Sequence, residues 1–128
     1  MSSITLISSV DNAPQAVGPY SIAAKIPGFI FLSGQIPLDP STGAIVHGGI
    51  EAQAIQVMKN IDAVLKGCKS SKEKIFKTTI FLTDLKNFQI VNGLYADWLG
   101  GHKPARSTIQ VAALPLGADV EIECIVAE

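Results

Sequence analysis

Apolar residues recur along this chain in two rhythms. Short runs of strand-like composition cover Ile4 to Ile7, Tyr20 to Ile26, Phe29 to Ile36, Ile75 to Leu82, Ser107 to Ala113 and Val120 to Ala127. Their β-branched and aromatic content suits a pleated, half-buried surface. Two further segments step by three and four: Ile50, Ala54, Val57, Ile61, Leu65 and Cys68 in one, and Phe88, Val91, Tyr95 and Trp98 in the other. That spacing gathers each set on one side of a helix. Pro27-Gly28 predicts a tight hairpin turn between the second and third strands. Asp39-Pro40-Ser41-Thr42-Gly43 marks the turn before the first helix, while Asp84 is a candidate N-cap and Gly100-Gly101 a stop for the second. With Leu114 to Asp119 joining the last two strands, the predicted order is βββαβαββ.

Each amphipathic helix has one stripe to bury, and a single sheet supplies the matching surface. The expected architecture is α+β: a mixed sheet of about six strands with both helices on one face, in one domain spanning residues 1–128. The other sheet face then needs a cover. Phe29-Ile30-Phe31-Leu32 is apolar on both parities, and the chain is 48% hydrophobic but only 16% charged. Neighbouring subunits are the expected cover, which predicts a homo-oligomer.

Charge and composition narrow the chemistry. A formal net charge of −1 implies no polyanion partner, since a nucleic-acid surface shows as a Lys/Arg excess. Cys68 and Cys124 are too few and too distant for a disulfide framework or a ligand cluster, so both are expected to pack in the core of a protein from a reducing compartment. No apolar run approaches the ~20 residues of a membrane span. Met1 to Val10 holds no Arg or Lys, which favours the cytoplasm over the mitochondrial matrix. His47 and His102 have no partner at metal-ligand spacing, and the glycines form neither a dinucleotide nor a nucleoside-triphosphate loop. Cofactor-free chemistry is the expectation.

Four residues stand out. Nine of the ten basic residues are lysines, and the single arginine, Arg106, opens an apolar strand after Lys103-Pro104-Ala105. A guanidinium offers paired donors to a carboxylate or phosphate and tolerates partial burial better than an ammonium; a strand-end salt bridge is the plainer role. Glu121 and Glu123 alternate with Val120 and Ile122 and project from one face of the last strand. They read either as a solvated face or as carboxylates in a cleft beside Arg106, able to orient water or move a proton. Tyr20 offers a ring and a hydroxyl, or packs as a half-buried aromatic at a strand start.

Gly18-Pro19-Tyr20-Ser21, Ser33-Gly34-Gln35-Ile36-Pro37, Pro104-Ala105-Arg106-Ser107, Val111-Ala112-Ala113-Leu114-Pro115 and Val120-Glu121-Ile122-Glu123 together resemble the signature blocks of the reactive-intermediate deaminases, the RidA/YjgF family. The resemblance runs from about Asn12 to the C-terminus. It implies a chorismate-mutase-like subunit, a homotrimer, and clefts between subunits that act on 2-iminobutanoate and 2-iminopropanoate. In that frame Arg106 holds the substrate carboxylate, Glu121 positions the hydrolytic water and Tyr20 lines the pocket. Ser33, Gly34 and Asn92 complete it, with the backbone of Thr108, where many relatives carry cysteine.

The same family also carries endoribonuclease and translation-inhibitor activities, and a non-catalytic sensor or chaperone-like trimer is a third class. RNA cleavage calls for acid/base pairs and a basic track, neither of which this composition favours. The cofactor-free reading predicts that turnover is unchanged after exhaustive treatment with EDTA and without added nucleotide; loss of turnover that one specific metal restores would contradict it.

Overall fold

The computed structural model describes residues 3–128, so Met1 and Ser2, the start of the segment read for targeting, lie outside it. Eight elements follow one another: β1 (Thr5–Ile7), β2 (Ala23–Ile26), β3 (Phe29–Gln35), α1 (Gly49–Gly67), β4 (Ile75–Leu82), α2 (Phe88–Leu99), β5 (Ala105–Gln110) and β6 (Val120–Ala127). All six strands join one sheet in the order β1-β2-β3-β6-β4-β5. The pairings are antiparallel except for β4 with β5, so the sheet is mixed and the fold is α+β, as expected.

Connection rules explain the layering. β6 runs antiparallel to both β3 and β4, so β3 and β4 are parallel to each other, with β6 slotted between them. The chain therefore makes two parallel crossovers in the same direction across the sheet, β3-α1-β4 and β4-α2-β5. Right-handed crossovers made in one direction put both helices on the same face. There α1 and α2 lie against each other, over Ile30 and Leu32 of β3, Ile80 and Leu82 of β4, and Val120, Ile122, Cys124 and Val126 of β6. Both cysteines are buried, Cys68 at the end of α1 and Cys124 in the sheet.

Several local expectations shift. The hairpin turns at Gly28, whose φ of 91° suits a residue without Cβ. Its first strand begins only at Ala23, which leaves Tyr20 in the preceding loop. Asp84 caps a short 3-10 turn, Leu85–Asn87, by accepting from the Lys86 amide, and α2 starts after it. The fifth strand is Ala105–Gln110 rather than Ser107 to Ala113, because it follows its parallel register with β4 from Lys77 to Leu82. Gly100 ends α2 in the left-handed region, as its place after the last apolar residue predicts.

Two buried polar side chains fasten α1 to the sheet. Asn60, fully buried, donates from Nδ2 to the carbonyls of Leu38 (2.9 Å) and Ile36 (3.3 Å) and accepts from Gln56. Gln53 donates to the Asp119 carboxylate (3.1 Å) and accepts from the Asp119 amide (2.8 Å). These bonds hold the segment that leaves β3 and the residue that enters β6. On the far face, Phe29 and Phe31 of β3 and Phe76 of β4 form a ring cluster with centroids 6.5 and 5.6 Å apart, each ring 41–44% exposed.

Asn60→Ala strips the Leu38 carbonyl of its side-chain donor and is expected to cost about 1–3 kcal/mol. Urea unfolding at one fixed protein concentration measures it, with Lys59→Ala, an exposed neighbour, as the near-neutral control.

Candidate active site

One half of the site is built around a carboxylate. Along β6, Val120, Ile122, Cys124 and Val126 point to the helices and are buried, so Glu121 and Glu123 face the other side, as the alternation predicts. The β3–β6 register slips between Leu32 and Gln35: Leu32 pairs with Cys124 and Gln35 with Ile122, so Ser33 and Gly34 share one position on β6. This is a β-bulge, a device that re-aims side chains beside functional sites. Its second residue is glycine, and the Glu121 carboxylate occupies the space a Cβ there would fill, so any side chain at Gly34 would displace the carboxylate from this position.

The bulge also holds the neighbouring loop. Ser33 donates from Oγ to the Ser21 carbonyl (2.6 Å) and from its amide to the Ile22 carbonyl (3.0 Å). Tyr20 sits next to that anchor, 48% exposed, its hydroxyl accepting from the Val17 amide (3.3 Å). Half-burial pushes the Glu121 carboxyl above its ordinary value, and the like charge of Glu123 pushes it the same way.

The other half is built around the arginine. Arg106, the second residue of β5, pairs with Thr78 of β4. From α2, Phe88, Asn92 and Tyr95 meet it at spacings of four and three, which share one helix face. Arg106 donates from Nη1 to Asn92 Oδ1 (2.6 Å), and its Cζ lies 5.1 Å from the Tyr95 ring centroid and 5.5 Å from that of Phe88. The Tyr95 hydroxyl is bonded to Thr78 Oγ1 (2.7 Å). A hollow of about 480 Å³ opens beside the guanidinium, lined among others by Leu99, His102 and Pro104. Thr108 lies two residues along β5, its hydroxyl buried without a hydrogen-bond partner among the described residues.

The two halves do not meet within one chain. Arg106 pairs with Thr78, a buried helix-face residue, whereas Glu121 pairs with Phe81, three residues further along β4 and on the opposite face. At ~3.3 Å per residue and ~4.8 Å per strand, their Cα atoms stand about 14 Å apart. The expected cleft with a carboxylate beside Arg106 is therefore absent from the single chain, and Arg106 itself is exposed rather than partly buried. Tyr20, Ser33, Gly34 and Glu121 lie together; Arg106, Asn92 and Thr108 form a second group.

Phe88 and Tyr95 were missing from the sequence-based site because both also satisfy the apolar stripe of α2. The usable signal was Asn92, a polar residue set between them on the same face. Among the described residues, no group of three or more His, Cys, Asp or Glu side chains could hold a metal ion, and no helix is long and apolar enough to cross a membrane.

Residues 10–128 match the family model described as Endoribonuclease L-PSP. The chain is 49% identical over 117 residues to Reactive Intermediate Deaminase A, chloroplastic, of Arabidopsis thaliana, which covers 91% of this chain and 63% of that longer protein. It is 43% identical to the 2-iminobutanoate/2-iminopropanoate deaminase of Mus musculus, over 95% of this chain and 90% of the mouse protein. Among solved structures, a Rid-family protein of unknown function, YyfA from Yersinia pestis, superposes with a TM-score of 0.93 at 50% identity, covering 98% of this chain and 99% of that one. The crystal structure of E. coli TdcF with bound serine gives a TM-score of 0.91 at 35% identity, over 97% and 99%. On the five sequence blocks, the family match and the shared fold together, the chain belongs to the RidA/YjgF family, the group covered by the Endoribonuclease L-PSP model.

Proposed function

We propose that this chain is a 2-imino acid deaminase that works as a homotrimer, with each active site assembled from the Arg106 group of one subunit and the Glu121 group of the next. The observation that carries the reading is the separation just described: an anion-binding fork and a poised carboxylate on opposite faces of one sheet. A four-carbon substrate reaches both only across a boundary between copies. The ring cluster of Phe29, Phe31 and Phe76 on the uncovered face supports such a boundary, and the mouse relative's name supports the substrate class.

The chemistry needs little machinery. The substrate carbon of an iminium is already electrophilic, so anchoring, orientation and one proton acceptor suffice. Arg106 holds the substrate carboxylate. Glu121 accepts a proton from water as the water oxygen bonds to C2 and the C=N electron pair moves to nitrogen. Transfer of that proton to the amine nitrogen, loss of the second hydroxyl proton to Glu121 and cleavage of the C–N bond release ammonia and the 2-keto acid. A carboxyl held above its ordinary value is a better base for this exchange at neutral pH than a solvated one.

The ribonuclease reading has less support: the net charge is −1, and His102 has its Nε2 on the Ile75 carbonyl at 2.6 Å. The deciding experiment is ammonia and keto-acid release from 2-iminobutanoate generated in place by a dehydratase, beside an RNA-cleavage control. Accelerated deamination without RNA cleavage is expected; the reverse pattern would overturn the proposal.

Three outcomes follow from this site. Light scattering is expected to give three times 13.5 kDa, and a monomer at micromolar concentration would remove the shared site. Arg106→Lys keeps the charge but loses the fork, so kcat/KM is expected to fall about 30- to 1,000-fold with the trimer intact; a surface salt bridge would change it by less than about fivefold.

The third outcome concerns pH. Burial and Glu123 both disfavour the Glu121 carboxylate, so its ionised, active form is reached only as pH rises past a midpoint above the ordinary 4.5. The fold correspondingly favours the protonated form, whose stabilising contribution fades as pH rises through that midpoint. Glu123→Gln removes the like charge and is expected to move the acidic limb of the kcat/KM profile to lower pH. An unmoved or upward-shifted limb would contradict the assignment of that limb to Glu121.

A further inference from the structure

We propose that Phe88 and Tyr95 are positioning residues for the carboxylate anchor: they hold the Arg106 guanidinium in one orientation, with Nη1 committed to Asn92 and the Nε–Nη2 edge presented to substrate. The inference rests on the reading of Arg106 as the anchor and adds how an exposed arginine on an edge strand is kept in register for its task. A free arginine side chain has four rotatable bonds and loses its fork's advantage when the plane wanders. Here the plane is restrained from the side by two rings, 5.1 and 5.5 Å from Cζ, within the range of cation–π attraction. At its tip, the 2.6 Å bond to Asn92 Oδ1 uses one Nη1 hydrogen. Among the described residues nothing else accepts from the guanidinium, so Nε and Nη2 keep every donor, arranged as one fork.

The clamp is itself anchored. Tyr95 is only 6% exposed, and its hydroxyl bonds at 2.7 Å to Thr78, the fully buried residue opposite Arg106 in the β4–β5 register. The side chain that restrains the arginine is thus tied to the strand that carries its backbone partner. Asn92 contributes a second consequence. With Oδ1 accepting from Arg106, its amide nitrogen points two hydrogens elsewhere and can join the fork in receiving the same carboxylate. A lysine at position 106 would keep a cation near the rings but has no plane to hold and no second edge to present.

The test is a double-mutant cycle on imino-acid hydrolysis by the full-length protein, with Phe88→Leu and Arg106→Lys made singly and together. Circular dichroism and light scattering confirm that each variant folds and assembles as the parent does. Phe88→Leu is expected to raise KM about tenfold with kcat within about twofold, because an unrestrained fork binds ground and transition states alike more weakly. Phe88→Tyr, which keeps the ring, is expected to recover most of the loss. In the Arg106→Lys background, Phe88→Leu is expected to change KM by less than about twofold, the non-additivity that marks a shared function.

An equal KM effect in both backgrounds, or no effect in the parent, would overturn the positioning role while leaving the anchor standing. Wild-type KM and kcat in Arg106→Lys would instead remove the anchor and the clamp with it. Should Phe88→Leu fail to fold, Phe88→Met, unbranched, able to fill the gap and without a ring face, carries the same comparison.

Discussion

A β-strand sends successive side chains to opposite faces of its sheet, and this alternation governs where the chemistry of the molecule can happen. β5 and β6 flank the same strand, β4, yet Arg106 falls on the parity that faces α2 and Glu121 on the parity that faces away. No rotamer change brings a guanidinium and a carboxylate through a hydrogen-bonded sheet. The two groups are useful to one small substrate only if a second copy supplies one of them. On the proposed reading, that requirement gives a function to the apolar outer face, where Phe29, Phe31 and Phe76 stay partly exposed in the single chain.

Each half of the site is held by a different device. On the carboxylate side, a one-residue slip of β3 against β6 makes room at Gly34 for the Glu121 side chain, and Ser33 uses the same irregularity to hold the loop that carries Tyr20. Asn60 and Gln53 then fix the strand ends to α1, so the helix layer restrains a site on the opposite face of the sheet. On the arginine side, restraint comes from α2, whose one face presents two rings and an amide to the guanidinium. Rigid elements thus support both groups of residues, and in the proposed assembly the substrate lies between them.

Much of this was legible in the order of residues. The two helical rhythms and the strand runs Ile75 to Leu82 and Val120 to Ala127 mark elements that the structure reproduces, because long periodic segments leave little ambiguity. Boundaries set by pairing were not legible: β5 ends at Gln110 because its parallel partner ends at Leu82, and nothing local to Val111-Ala112-Ala113 says so. The solitary arginine was visible as an anomaly of composition. The aromatic pair around it was not, since Phe88 and Tyr95 fit an apolar stripe equally well, and only tertiary placement tells a ring that fills the core from a ring that faces a cation. The bulge at Ser33-Gly34 was hidden for a related reason, being a property of two strands in register rather than of either one.

The central claim is that one active site uses Arg106 from one copy and Glu121 from another, and subunit complementation tests it most directly. Arg106→Ala and Glu121→Gln proteins, each inactive alone, are unfolded together in equal amounts and refolded into mixed assemblies. If sites are shared, one boundary in four pairs an intact arginine with an intact glutamate, and about a quarter of the wild-type imino-acid deaminase rate should return. If every chain carries its own complete site, no mixing can rebuild one, and a rate no higher than that of the two parents would contradict the account.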